Sequence, residues 1–130
     1  MARLTDFVPR GRIHDSDFKC SSPGDDEEDL LGELARLARI PLTSEGFSQS
    51  DGRTVELRAR IDGRTAVISL PHRKYQFPPR ELIDALNAVL AARADAYELV
   101  AVLEPAGRGE AVARVRPDEK AALRAAGLLV

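Results

Sequence analysis

The residues of this chain that could do chemistry sit in three short stretches. The first, His14-Asp15-Ser16-Asp17-Phe18-Lys19-Cys20, places His14, Asp15, Asp17 and Cys20 within seven positions, four side chains of metal-ligating type. A structural zinc site usually draws its four ligands as two separated pairs, and beyond this run His72 is the one further His or Cys. A solvated polar segment is the simpler reading, and no metal or other cofactor is expected. The second stretch is the acidic run Asp25, Asp26, Glu27, Glu28 and Asp29. It lacks the alternating ligands and central glycine of a calcium loop, and neighbouring helical residues point in different directions. It reads as a helix start favoured by the macrodipole; its functional reading is contact with a basic protein partner.

The third stretch, His72-Arg73-Lys74-Tyr75-Gln76-Phe77 with Arg80 beyond, interleaves bases and aromatics as single-strand nucleic-acid surfaces do. A structural account competes with that one: Phe77 and Leu82 have the spacing of a hydrophobic staple in front of a helix, and Pro79 suits its first turn. Arg73, Lys74 and Tyr75 are therefore candidates for partner contact, with a nucleic-acid or anionic ligand as the alternative. For catalysis the chain offers no Gly-x-Ser-x-Gly elbow and no Walker loop, and Gly107-Arg108-Gly109 lies between two strands instead of opening a helix. Neither histidine stands beside a nucleophile or carboxylate partner suited to acid–base work, so no catalytic residue is expected.

Composition bounds what must position these residues. At 130 residues, 44% hydrophobic and 31% charged, the chain is a single globular domain able to bury a core without disulfides or metals. One cysteine excludes an internal disulfide and suits a reducing cytoplasm. No signal peptide and no membrane-length apolar run is read. A net charge of −2 argues against a general nucleic-acid binder. That charge is uneven, with six acids and two arginines in residues 21–40, against four bases and two acids in residues 71–93.

The clearest element is a β-hairpin, Val55 to Ile61 and Arg64 to Leu70 about Asp62-Gly63. An Asp-Gly pair favours a two-residue type I′ turn, which sets Ala59 opposite Ala66, Leu57 opposite Ile68 and Val55 opposite Leu70. Those apolar residues share one face; Glu56, Arg58, Arg60, Thr65 and Ser69 lie on the other. Arg58, Arg60, Val67 and Tyr75 are thus expected on an open sheet surface. Before the hairpin, Leu30, Leu31, Leu34, Leu37 and Ala38 form a helical stripe, and residues 41–53 read as a connection. After it, Leu82, Ile83, Leu86, Val89 and Leu90 mark a second helix over about 79–93. Tyr97 to Leu103, apolar on both sides, reads as a central strand. Ala111 to Arg116 returns beside it, and Pro117 opens a closing helix capped by Gly127.

The order αββαββα predicts an α+β domain over 22–130, built as two layers: a four-stranded antiparallel sheet with helices on one face. Residues 1–21 are expected as an N-terminal arm or a short edge strand. Pro79 with Glu81, and again Pro117 with Glu119, give the two halves a loose echo.

The segment Phe77-Pro-Pro-Arg-Glu-Leu-Ile-Asp-Ala-Leu-Asn-Ala-Val-Leu90, the strand Tyr97-Glu-Leu-Val-Ala-Val102 and the closing Pro117-Asp-Glu-Lys-Ala-Ala-Leu-Arg-Ala-Ala-Gly-Leu128 resemble the small α+β immunity proteins of bacterial polymorphic toxin systems. The resemblance covers residues 53–128 and lies in organisation. It implies a cytoplasmic protein, monomer or homodimer, that binds and occludes a cognate toxin without chemistry of its own. The element order also resembles type III secretion chaperones, which are small, acidic and dimeric, although the last helix here is short.

Overall fold

The structure is a computed structural model that describes residues 3–14, 25–50, 54–71, 80–104 and 109–130. The predicted hairpin is present in the predicted register. Strands β3 (Thr54–Ile61) and β4 (Arg64–Pro71) pair antiparallel with Ala59 against Ala66, Leu57 against Ile68 and Val55 against Leu70. Asp62 and Gly63 take φ of 52° and 83°, the two left-handed residues that a type I′ turn requires. Val55, Leu57, Ala59, Ile61, Ile68 and Leu70 are all buried.

In place of one four-stranded sheet, the hairpins enter two separate three-stranded antiparallel sheets, each with a third strand of its own. The first is completed by β2 (Leu42–Ser50), which pairs along β3 with an irregularity between Ser44 and Gly46. This segment was expected to be a connection. It is a largely exposed edge strand, so its Ser, Thr and Gly carry no alternating apolar pattern; β3 supplies the backbone partners that make it a strand. The second sheet runs β1-β6-β5, from β1 (Ile13–His14), β6 (Gly109–Val115) and β5 (Glu98–Glu104).

Helices α1 (Asp25–Ala38) and α2 (Arg80–Ala92) lie between the two sheets. Leu30, Leu31 and Leu34 of α1 and Leu82, Leu86 and Leu90 of α2 form one buried cluster with Leu57 and Ile68 of the first sheet and with Leu99 and Val112 of the second. The far face of the second sheet, Val100, Val102, Ala111, Ala113 and Val115, packs on Leu123 of α3 (Pro117–Ala125) and on Leu4 and Val8 of the N-terminal segment. The order through the molecule is sheet, helices, sheet, helix. This stacking corrects the central position expected for β5. It lies at the end of its sheet, and it is apolar on both sides because helices cover both faces.

An end strand buried in this way must still satisfy its outward backbone groups. Two devices close the β5 edge. The Asn87 side chain donates from Nδ2 to the Leu99 carbonyl at 2.8 Å and accepts the Leu99 N–H on Oδ1 at 2.7 Å, as a neighbouring strand would. Further along, Leu103 N–H donates to the Leu128 carbonyl at 2.8 Å and Val130 N–H to the Ala101 carbonyl at 3.1 Å, so the C-terminal segment continues the ladder. Replacing Asn87 by alanine strands two backbone groups at once, at about 1–3 kcal/mol for each that water fails to reach. The expected result is a loss of about 2–4 kcal/mol in denaturant unfolding, with early deuteration of the Leu99 amide; a loss below about 0.5 kcal/mol would show that the edge is wet.

Among the described residues each of the three α-helices ends in a Schellman arrangement, with Ile40, Asp95 and Leu128 donating to the carbonyls of Ala35, Leu90 and Leu123. The left-handed residue is Gly127 after α3, as expected. After α1 and α2 it is Arg39 at φ 59° and Ala94 at φ 53°, where side chains are disfavoured.

Candidate functional site

Two regions compete for the functional site, an open sheet face that the sequence points to and a buried-edge ionic cluster that it does not. On the first sheet, cross-strand pairing sets Arg58 opposite Val67 and Arg60 opposite Thr65, on the side away from α1 and α2. Arg58 and Arg60 are exposed, and Val67 keeps 52% of its surface in contact with solvent. β2 adds Thr43, Gly46, Ser48 and Ser50 to the same side by its pairing with Arg60, Arg58, Glu56 and Thr54. The result is a polar, hydroxyl-rich surface with two guanidiniums beside one apolar side chain.

The acidic run is divided by its helix. Glu27 is buried at 2% exposure, Asp26 and Glu28 are half-buried, and Asp29 is exposed. Glu28 accepts a hydrogen bond from the Ser44 hydroxyl, which ties α1 to β2. Burial withdraws Glu27 from direct contact with any partner, and of the run's described side chains only Asp29 is fully outward. Asp25 opens α1. Arg73, Lys74 and Tyr75 lie outside the described residues, as do Asp15, Asp17 and Cys20 of the metal reading. His14 sits 3.0 Å from a Glu33 carboxylate oxygen, and among the described residues no group of three or more His, Cys, Asp or Glu could hold a metal ion.

The second region lies where the N-terminal segment, β5, β6 and the start of α3 meet. Glu119 occupies the third position of α3, after Pro117, and its Oε1 accepts the Arg116 N–H at 2.9 Å, which satisfies one of the orphan donors of the helix start. Both of its oxygens also accept from Arg12, at 2.7 Å each, in a bidentate pair with side chains only 14% and 9% exposed. Arg12 donates further to the Arg114 carbonyl at 3.2 Å. The Arg12 hydrogen bonds hold the Glu119 carboxyl down at about 2, helped by the Arg116 N–H and opposed by burial. Arg12 is raised in turn, chiefly by its hydrogen bonds to Glu119.

The Tyr97 ring is contacted by two guanidiniums, Arg114 at 4.5 Å and Arg12 at 5.3 Å from its centroid, both within cation–π range. Nearby, Asp95 accepts the Tyr97 N–H at 2.9 Å and lies 3.5 Å from Arg93, whose other nitrogen reaches the Arg39 carbonyl at the end of α1. Sequence reasoning missed this cluster because the bonds from Arg12 span 102 and 107 residues. The one signal was Pro117 with Glu119, an acid at the third position of a proline-opened helix. No helix among the described residues is long and apolar enough to cross a membrane.

Comparison with known protein families, curated proteins and solved structures found no match for this chain.

Proposed function

We propose that this chain is a non-enzymatic protein-binding module of inhibitor or immunity type, which recognises its partner on the outward face of the β2-β3-β4 sheet. The observation that carries this reading is a contrast between faces. Among the described residues, three of the four sheet faces are aliphatic and covered by helices or the N-terminal segment, whereas the fourth carries Arg58, Arg60 and Val67 on paired backbone. Arginine is enriched at protein-contact centres, and two guanidiniums there select an acidic partner.

Three strands of this length present about 14 Å by 27 Å, roughly 400 Å². That is about half of the ~800 Å² that a stable complex takes from each partner. The partner therefore extends past the sheet, over the Asp62-Gly63 turn.

The test compares the wild-type chain with an Arg58→Glu, Arg60→Glu, Val67→Asp variant, each used for affinity purification from the native cell followed by native mass spectrometry. All three positions are exposed, so the variant should unfold within about 1 kcal/mol of the wild type. A stoichiometric polypeptide retained by the wild type and lost from the variant is the expected result. Equal capture by both chains would remove this face as the contact.

A further inference from the structure

Arg114 stands apart from the other arginines of its corner. Arg12 is matched by Glu119, Arg93 by Asp95, and Arg116 by Asp118 at 3.4 Å. Arg114 is half-buried on β6, its guanidinium lies against the Tyr97 ring, and its Nε is enclosed without a hydrogen-bond partner. Among the described residues no carboxylate pairs with it, and its two Nη groups are not sealed in as Nε is. Burial, followed by repulsion from Arg39 and Arg12, holds its pKa below the usual guanidinium value; Asp95 offsets only the smallest part. Five guanidiniums (Arg12, Arg39, Arg93, Arg114, Arg116) thus meet three carboxylates (Asp95, Asp118, Glu119), leaving a surplus of two positive charges at one corner.

A half-desolvated cation among like charges is unfavourable unless an anion completes it. We propose that Arg114 and Arg39, beside Tyr97, form a binding site for a dianionic oxyanion of the phosphate class. The charge surplus matches a phosphate monoester or inorganic phosphate better than a single carboxylate. Tyr97 holds the Arg114 guanidinium by its face, which leaves the Nη groups to donate. Arg39, whose carbonyl accepts from Arg93 beside Asp95 and the Tyr97 N–H, supplies the second charge from a left-handed position at the end of α1, where glycine would be the less strained residue. The site lies on the second sheet, and its test needs no protein partner.

The experiment uses the full chain at pH about 8, where the phosphate group is dianionic, and follows the arginine Nε–H signals by NMR. Inorganic phosphate, O-phosphoserine and acetate are titrated at constant ionic strength. A saturable shift of the Arg114 signal with phosphate, weaker by about tenfold or more with acetate, is expected. Tighter binding of phosphoserine than of inorganic phosphate identifies a monoester as the source, and the reverse order identifies free phosphate. Arg114→Gln should abolish the phosphate response of the remaining arginine signals of the corner, Arg12 and Arg93. Arg39→Gly should weaken binding about tenfold while raising Tm by about 3 °C, because the glycine relieves the left-handed strain; this opposition separates lost binding from lost folding. No saturable shift with either phosphate, or undiminished binding in Arg39→Gly, would overturn the assignment.

Discussion

Replacing Leu86 with alanine is expected to remove about 3–5 kcal/mol of unfolding free energy, a large fraction of the 5–15 kcal/mol that holds a domain of this size together. Leu86 has no solvent exposure and belongs to the cluster that joins both sheets through α2. The loss has two parts, the transfer of the removed carbons and the cavity left behind. A residue on the rim of a two-layer domain can be compensated by collapse from the solvent side. Here α2 has a sheet on each side, so closing the cavity requires one rigid layer to move against another. The measurement is denaturant unfolding, with Val67→Ala as the control, whose exposure of 52% predicts a change within about 0.5 kcal/mol. A loss at Leu86 below about 1.5 kcal/mol would mean that α2 is not held between two sheets.

The second large effect is pH-dependent. The Glu119 carboxyl is lowered from 4.5 to about 2 in the folded chain, first by the Arg12 hydrogen bonds. A carboxyl with a depressed folded pKa stabilises the fold fully above its unfolded value, and that stability is lost as pH falls from about 4.5 through about 2. The shift corresponds to about 3 kcal/mol, and to about 2 once screening by nearby solvent is allowed for. Glu119→Gln keeps the shape but removes the charge facing Arg12, leaving a guanidinium of 14% exposure without its counter-ion. The variant should be less stable than the wild type by about 2–3 kcal/mol at neutral pH, and the two curves should converge towards pH 2. Parallel curves across that window would place the pH-sensitive contact elsewhere. The pair links residue 12 to residue 119, so the same variant should also raise hydrogen exchange at Leu4 and Val8, which the N-terminal segment buries beside α3.

What could be read without coordinates was local. The Asp62-Gly63 turn determined the hairpin register to the residue, because a two-residue loop admits one pairing and each slip would turn Leu57 and Ile68 to water. Stripes at helical spacing located α1 and α2, and Gly127 marked the end of α3. The open side of the first sheet, with Arg58, Arg60 and Val67, followed from that register. The tertiary structure alone decided how the pieces combine. β2 has no apolar alternation of its own and becomes a strand because β3 offers a partner. The two-sided apolarity of β5 reported burial on both faces, which a central strand and a sandwiched end strand share equally. Closure of the β5 edge by Asn87, and the meeting of Arg12, Tyr97, Arg114 and Glu119, join positions that are remote along the chain. Periodicity reports only which way neighbours point; such contacts exist once the sheets and helices are stacked, and no spacing in the sequence encodes them.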